Sequence, residues 1–282
     1  MTAFICTTCG TQYPPSDAPP EHCPICQDER QYIGPLGQGW TTLARLRRTH
    51  FCHFRQMEPG LLGIGLVPQF AIGQRALLVR HPAGNVLWDC IPFIDDAAIE
   101  ILRALGGIRA IAISHPHYYS AMVEWAQEFD APILLHAADR QWVMRPDPLI
   151  QFWSGKTHAI APGLNLINCP GHFAGGTVLH WAAGGGGKGA ILSGDILQVT
   201  PDQRLSFMRS YPNLIPLDAA TIRRIAEILH PWAFDRIYGA FHERVIPTDA
   251  KQVLAYSVRR YLAAVTAPPI EDLPGSAACP IS

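Results

Sequence analysis

Charge of one sign is missing from this 282-residue sequence: 22 Lys and Arg stand against 23 Asp and Glu, a formal net charge of −1. That removes the electrostatic case for a nucleic acid or an acidic membrane surface, and leaves a small molecule as the expected partner. No apolar run reaches the roughly 20 residues that cross a bilayer. The first ten residues, MTAFICTTCG, carry neither a basic n-region nor an apolar h-region, so no signal peptide is expected and the cytosol is the default compartment. A disulfide framework is also missing. Four of the eight cysteines crowd into the first 26 residues, while Cys52, Cys90, Cys169 and Cys279 are scattered, unlike a short secreted scaffold. What is abundant is apolar residue, 48% of the chain, enough for a sizeable core.

Residues 1–34 are polar, proline-rich and built around two Cys-x2-Cys pairs, and 33–40 read as a linker. A main domain is expected over 35–265 and a loosely ordered tail over 266–282. Within the main domain, LLGIGLVPQF, RALLVR and NVLWDC are strand-length runs, the last two joined by an HPAG turn. Asp95 or Asp96 caps a helix, with Ala98, Ile99, Leu102 and Leu105 on one face and Gly106-Gly107 at its end. Residues 108–114 then read as a buried strand, 121–129 as a helix and 131–136 as a strand. LNLINC, GGTVLHW and GAILSGD repeat the strand pattern, followed by a helix capped by Asp218, the strand FDRIYGA and a last helix over 249–263. The glycine-rich 182–190 lacks the spacing of a phosphate loop and reads as a flexible hairpin. Two successive strand sets, each with helices, predict an α/β fold of two sheets face to face with helices outside.

Chemistry-bearing residues gather just past strand ends. Ser114-His115-Pro116-His117 follows the strand 108–114, and in extended backbone histidines at i and i+2 point to one side. Cys169-Pro170-Gly171-His172, Ser193-Gly194-Asp195 and Phe241-His242 occupy equivalent positions, with Gly171 permitting a sharp turn. His81, His136, His158, His180 and His230 read as ordinary core histidines. His50 and His53, flanking Cys52, have nothing that fixes them near a site.

This ordered set, His-x-His, Pro-Gly-His, Gly-Asp and a late histidine, resembles the metallo-β-lactamase superfamily over about residues 60–263. The resemblance implies a four-layer αββα sandwich and a metal held by His115, His117 and His172. It also implies that Asp195 reaches or bridges that metal and that His242 serves a second one. In most such hydrolases the first motif reads His-x-His-x-Asp-His; here Tyr119 and Ser120 replace the last two, removing ligands of the second metal. One core metal is therefore expected, zinc with iron as the alternative, and Asp195 as fourth donor or close partner. Three imidazoles on Zn2+ leave a position for water, whose pKa the metal lowers to about 7. Asp195 would orient that water or take its proton, and Tyr118, Tyr119 and His242 are candidate donors to the leaving group.

Cys6, Cys9, Cys23 and Cys26 suit tetrahedral S4 coordination, the two pairs lying thirteen residues apart. The segments around them resemble rubredoxin-like modules and zinc ribbons, with Zn2+ or Fe as the ion. About thirty residues need such a staple to fold at all. Function reads first as a metal-dependent hydrolase of an ester, thioester, lactone or phosphoester. The alternatives are a mononuclear iron oxidoreductase, as in the persulfide dioxygenases of the superfamily, or a non-catalytic scaffold whose ribbon binds a partner.

Overall fold

The chain runs through two sheets in sequence order, and a computed structural model describes its residues 1–266; the expected tail from 267 and Cys279 lie outside the described residues. The first sheet has seven strands, adjacent in chain order: Phe51–Glu58, Leu61–Val67, Ala76–Val79, Val86–Trp88, Ala110–Ala112, Ile133–His136 and Ile150–Trp153. Its first four strands form an antiparallel meander. From Val86–Trp88 onward the pairing is parallel, with crossovers through the helices Asp96–Ala104 and Met122–Phe129. The second sheet also follows chain order: Thr157–Ala161, Leu164–Asn168, Thr177–Trp181, Ala190–Gly194, Arg236–Gly239 and Val245–Ile246.

Strand alternation divides the core into layers. In Ala76–Val79, Leu77 and Val79 face the second sheet, where they meet Leu166, Leu179 and Leu192 in one buried cluster. Their neighbours Ala76 and Leu78 face the other way, onto Ala98 and Leu102 of one helix and Trp125 of the next. The second sheet repeats this: Ile191 and Ile237 pack outward against Ile222, Ile225 and Leu254 of the helices Ala219–Leu229 and Ala250–Val265. Strands buried on both faces read as continuous apolar runs, which is why AILS and ALLV carry no polar alternation. The result is the αββα sandwich. Each fully buried Leu or Ile stabilises it by roughly 1.5–3 kcal/mol.

The local signals at helix ends hold. Asp95 accepts from the Ala98 N–H at 2.7 Å and Asp218 from the Thr221 N–H at 2.9 Å. The strand Phe51–Glu58 carried no such signal, since FCHFRQME is mostly polar and half-exposed at the sheet edge. The glycine-rich connection of 182–190 has a structural task. Gly185 N–H donates to both oxygens of buried Glu58, whose carboxylate also takes Arg236 at 2.6 Å, tying the two sheets together. Of the histidines expected in the core, His180 is buried, with Nε2 2.8 Å from the Ala233 carbonyl, but His230 is exposed.

The N-terminal segment forms a three-stranded antiparallel sheet in the order Gln12–Ser16, Thr2–Cys6, Trp40–Thr42. Its third strand begins at Trp40, the last residue of the expected linker, and comes from past residue 34. No helix among the described residues is long and apolar enough to cross a membrane.

Candidate metal centre

The strand Ala110–Ala112 delivers the chain to His115, which is fully extended (φ −170°, ψ 169°). Pro116 then starts a 3-10 turn over Pro116–Tyr118, its fixed φ favouring that first position. His115 and His117 thus converge through a turn, not through strand alternation as the spacing predicts, and their rings lie 5.1 Å apart at 76°. Gly171 works by proximity rather than by a left-handed turn: a Cβ there would sit 3.0 Å from Leu217 and 3.1 Å from Ile225. Gly194, by contrast, needs its positive φ of 57° to turn Asp195 inward, and a Cβ would fall 2.3 Å from Ser114 Oγ.

These turns bring four buried side chains together: His115, His117, His172 and Asp195, whose candidate donor atoms all lie within 4.8 Å of one another. His172 Nε2 is 3.2 Å from His117 Nδ1, and His115 Nε2 is 3.5 Å from Asp195 Oδ2. Metal–ligand bonds of about 2.0–2.1 Å in a tetrahedron place neighbouring donors roughly 3.3–3.4 Å apart, so the spacing fits one ion. The hydrogen bonding fits as well. His172 Nδ1 lies 3.1 Å from the Met208 carbonyl and His115 Nδ1 2.8 Å from Ser114 Oγ, leaving each Nε2 to face the group. His115 Nε2, His117 Nε2 and Asp195 Oδ1 are buried without a hydrogen-bond partner. Such orphaned atoms are costly unless a cation receives them.

Burial, reinforced by the His115 charge, holds His172 down at about 3, and burial with the neighbouring histidines holds His117 well below its usual value; both rings are neutral and able to ligate at pH 7. Burial pushes the Asp195 carboxyl up, but the hydrogen bond and charge of His115, with His172, outweigh it and keep the group ionised.

Two further carboxylates, absent from the sequence reading, set these loops. Asp89 accepts from the Ser114 N–H at 2.7 Å, and burial raises it to about 7. Asp139 accepts from the Gly175 N–H at 2.8 Å and so anchors the loop that carries His172. Only burial distinguishes them from surface acids; no local pattern marks them.

The other expected site residues divide. Tyr118 reaches the group, its ring 4.4 Å from His115 and its hydroxyl buried without a partner. Tyr119 turns into the core beside the first sheet's helices, with Asp139 as its charged neighbour. Ser120 accepts from Gln74 Nε2 at 2.9 Å. His242 does not join the cluster. Its ring lies 4.7 Å from His53 over Gly63 and Gly65, while Phe241 turns toward the metal-site cavity in its place. The cause is distant in sequence: the buried Arg75 guanidinium donates to the carbonyls of Gly239 and His242 at 2.9 and 3.1 Å and fixes that loop.

The second centre lies in the N-terminal sheet. Cys6 and Cys26 sulfurs are 3.6 Å apart, as are those of Cys9 and Cys23, near the roughly 3.8 Å expected for tetrahedral bonds of about 2.3 Å. All four are buried and none forms a disulfide. Hydrogen bonds from its three neighbours hold the Cys6 thiol far below its ordinary value while the same contacts push Cys9 up. Four such thiols cannot all ionise in a buried cluster without a cation among them.

Comparison with known proteins gives a consistent result. The uncharacterized protein YmaE of Bacillus subtilis (strain 168) is 48% identical over 268 residues, covering 94% of this chain and 97% of that protein. No family model matches the sequence. Among solved structures, the metallo-β-lactamase DIM-1 superposes with a TM-score of 0.56 at 10% identity, covering 76% of this chain and 98% of its own. VMB-1 gives 0.57 at 11% identity, with the same coverage. The metallo-β-lactamase SMB-1, in a complex with mercaptoacetic acid, gives 0.50 at 18% identity, over 78% of this chain and 96% of that one. The shared property is the fold.

Proposed function

The chain belongs to the family of Bacillus subtilis YmaE and has the metallo-β-lactamase fold, and from that premise we propose that it is a metal-dependent hydrolase with a single catalytic ion. Its substrates would be esters, thioesters, lactones or phosphoesters. The observation that carries this reading is the set of orphaned, buried donors of His115, His117 and Asp195 grouped with His172. When bound, Zn2+ lowers the pKa of a water to about 7 and polarises an acyl or phosphoryl oxygen.

The chain's own residues supply the rest. Asp195, ionised, accepts a proton from the attacking water. Tyr118, kept protonated by burial and by the Asp195 charge, offers a proton to the leaving group. Asp89 and Asp139 hold the two histidine loops in register, which limits the reorganisation the reaction requires. With Tyr119, Ser120 and His242 all directed elsewhere, Asp195 is left without partners for a second ion.

An iron-dependent oxidoreductase is the second reading, and one contact favours it. Trp142 packs against the cysteine cluster and also lies 5.7 Å, edge to face, from Phe173, whose ring is 4.9 Å from His117. A redox ion in the ribbon would then have a short packed route to the core. The test is metal analysis of the purified chain with turnover on ester, lactone, thioester, phosphoester and persulfide panels. Zinc-restored hydrolysis supports the first reading. Red iron–thiolate absorbance with ferrous-dependent persulfide oxidation supports the second and overturns the first.

A further inference from the structure

The cavity over the core cluster measures about 110 Å³ and is walled by His117, His172 and Asp195 on one side and by Arg30 and Gln31 on the other. Those last two come from the cysteine ribbon, immediately after the short helix Pro24–Gln27 that carries Cys26. The strap is pinned to the main domain. Asn213 Nδ2 donates to the carbonyls of Glu29 and Gln31 at 2.9 and 2.8 Å, Ser210 Oγ donates to that of Arg30 at 3.1 Å, and Arg209 pairs with Glu29 at 2.5 Å. The Arg30 guanidinium lies flat over the metal-site wall, 4.2 Å from the Phe173 ring centroid and 5.6 Å from that of Trp142.

Within this setting Arg30 Nε and Nη1 are buried and have no hydrogen-bond partner. Asp28 lies 3.3 Å from Nη1, but its Oδ1 is engaged by the Arg30 backbone N–H at 3.0 Å, and the side-chain contact lacks hydrogen-bond geometry. Unsatisfied donors on a permanent cation are expensive, and a planar fork of N–H groups suits an oxyanion. The cavity sets the size: a site of about 150 Å³ takes a benzene, so this one suits a group of only a few heavy atoms.

We propose that Arg30, supplied by the ribbon, is the recognition residue for a compact oxyanion of carboxylate type, so that the ribbon forms part of the substrate site. This deepens the hydrolase reading and rests on the cavity being the reaction site. Arg30 binds and orients the anionic part of the substrate, leaving the scissile part against the core cluster. It is a positioning residue and takes no part in proton transfer.

The test uses the full zinc-loaded chain, with acetate, inorganic phosphate and neutral acetamide titrated while the Arg30 Nε–H signal is followed by 15N NMR. Acetate is expected to shift that signal and to bind at least about ten times more tightly than acetamide. Phosphate binding as tightly as acetate would assign the same oxyanion pocket to phosphoesters. Arg30→Gln should abolish the preference for anions over acetamide, and Arg30→Lys should retain part of it, with core metal content unchanged in both. Equal affinity of the wild-type chain for acetate and acetamide overturns the proposal, as does an anion preference that survives in Arg30→Gln. A chain that keeps the preference but binds no core metal would leave Arg30's role standing and remove the hydrolase reading instead.

Discussion

The two metal centres are built in opposite ways. The ribbon's four thiolates come from two tight turns within twenty-one residues, Cys6 to Cys26, on a sheet with a small core. The core donors come from three loops spread over residues 115–195, aimed by two sheets that are already packed without any ion. The ribbon therefore depends on its metal to fold, whereas the main domain holds its site open and waits for one. The first arrangement is local and legible in spacing; the second depends on long-range packing.

That contrast should be broken first at the ribbon. Structural zinc sites contribute on the order of 10–16 kcal/mol to folding. Cys6→Ser or Cys26→Ser should release one ion per chain and open the segment around residues 1–34 to protease, while the main domain stays folded; limited proteolysis with metal analysis reads both. The mirror experiment is His172→Ala, which should remove the core ion yet keep the ribbon ion and nearly the whole melting temperature. A large drop in thermal stability there would mean that the core ion, too, is a folding staple. A smaller effect is expected from Asp139→Ala. Loss of the bond to the Gly175 N–H frees the His172 loop and should weaken core metal affinity roughly 10- to 100-fold, measured by competition with a chelator.

His242→Ala should change neither metal count, because its ring faces His53 and not the cluster. The smallest effect concerns pH. Burial lowers the His180 pKa, opposed by its hydrogen bond to Ala233, so the folded state prefers the neutral ring. The unfolded chain then binds more protons below its ordinary value of about 6.5, and stability falls as pH drops through that range. His180→Gln should flatten this part of the stability profile, measured by urea unfolding between pH 7 and pH 5.

How legible each feature was follows from how local it is. Asp95, Asp218 and the four cysteines act within a few residues of themselves, and the sequence spacing locates them. The motif order from His115 to Asp195 locates the core site, because each motif follows a strand of its own. The direction of His242 was not legible, since it depends on Arg75, 167 residues away, gripping the loop from behind. Asp89 and Asp139 were missed for the same reason: their partners, Ser114 and Gly175, are brought to them by the fold. The strand Phe51–Glu58 escaped because an edge strand keeps polar residues that a buried one would not tolerate. Arg30 sits in a stretch with no pattern at all, and only the docking of the ribbon gives it a place.

Metal stoichiometry under excess zinc, measured by mass spectrometry on the wild-type chain and on Cys6→Ser, tests the account most directly. The account predicts two tightly held ions in the wild type and one in the variant, the survivor being lost on His172→Ala. Three tight ions in the wild type, or two in Cys6→Ser, would contradict it and require ligands for a second core ion that Tyr119, Ser120 and His242 do not provide.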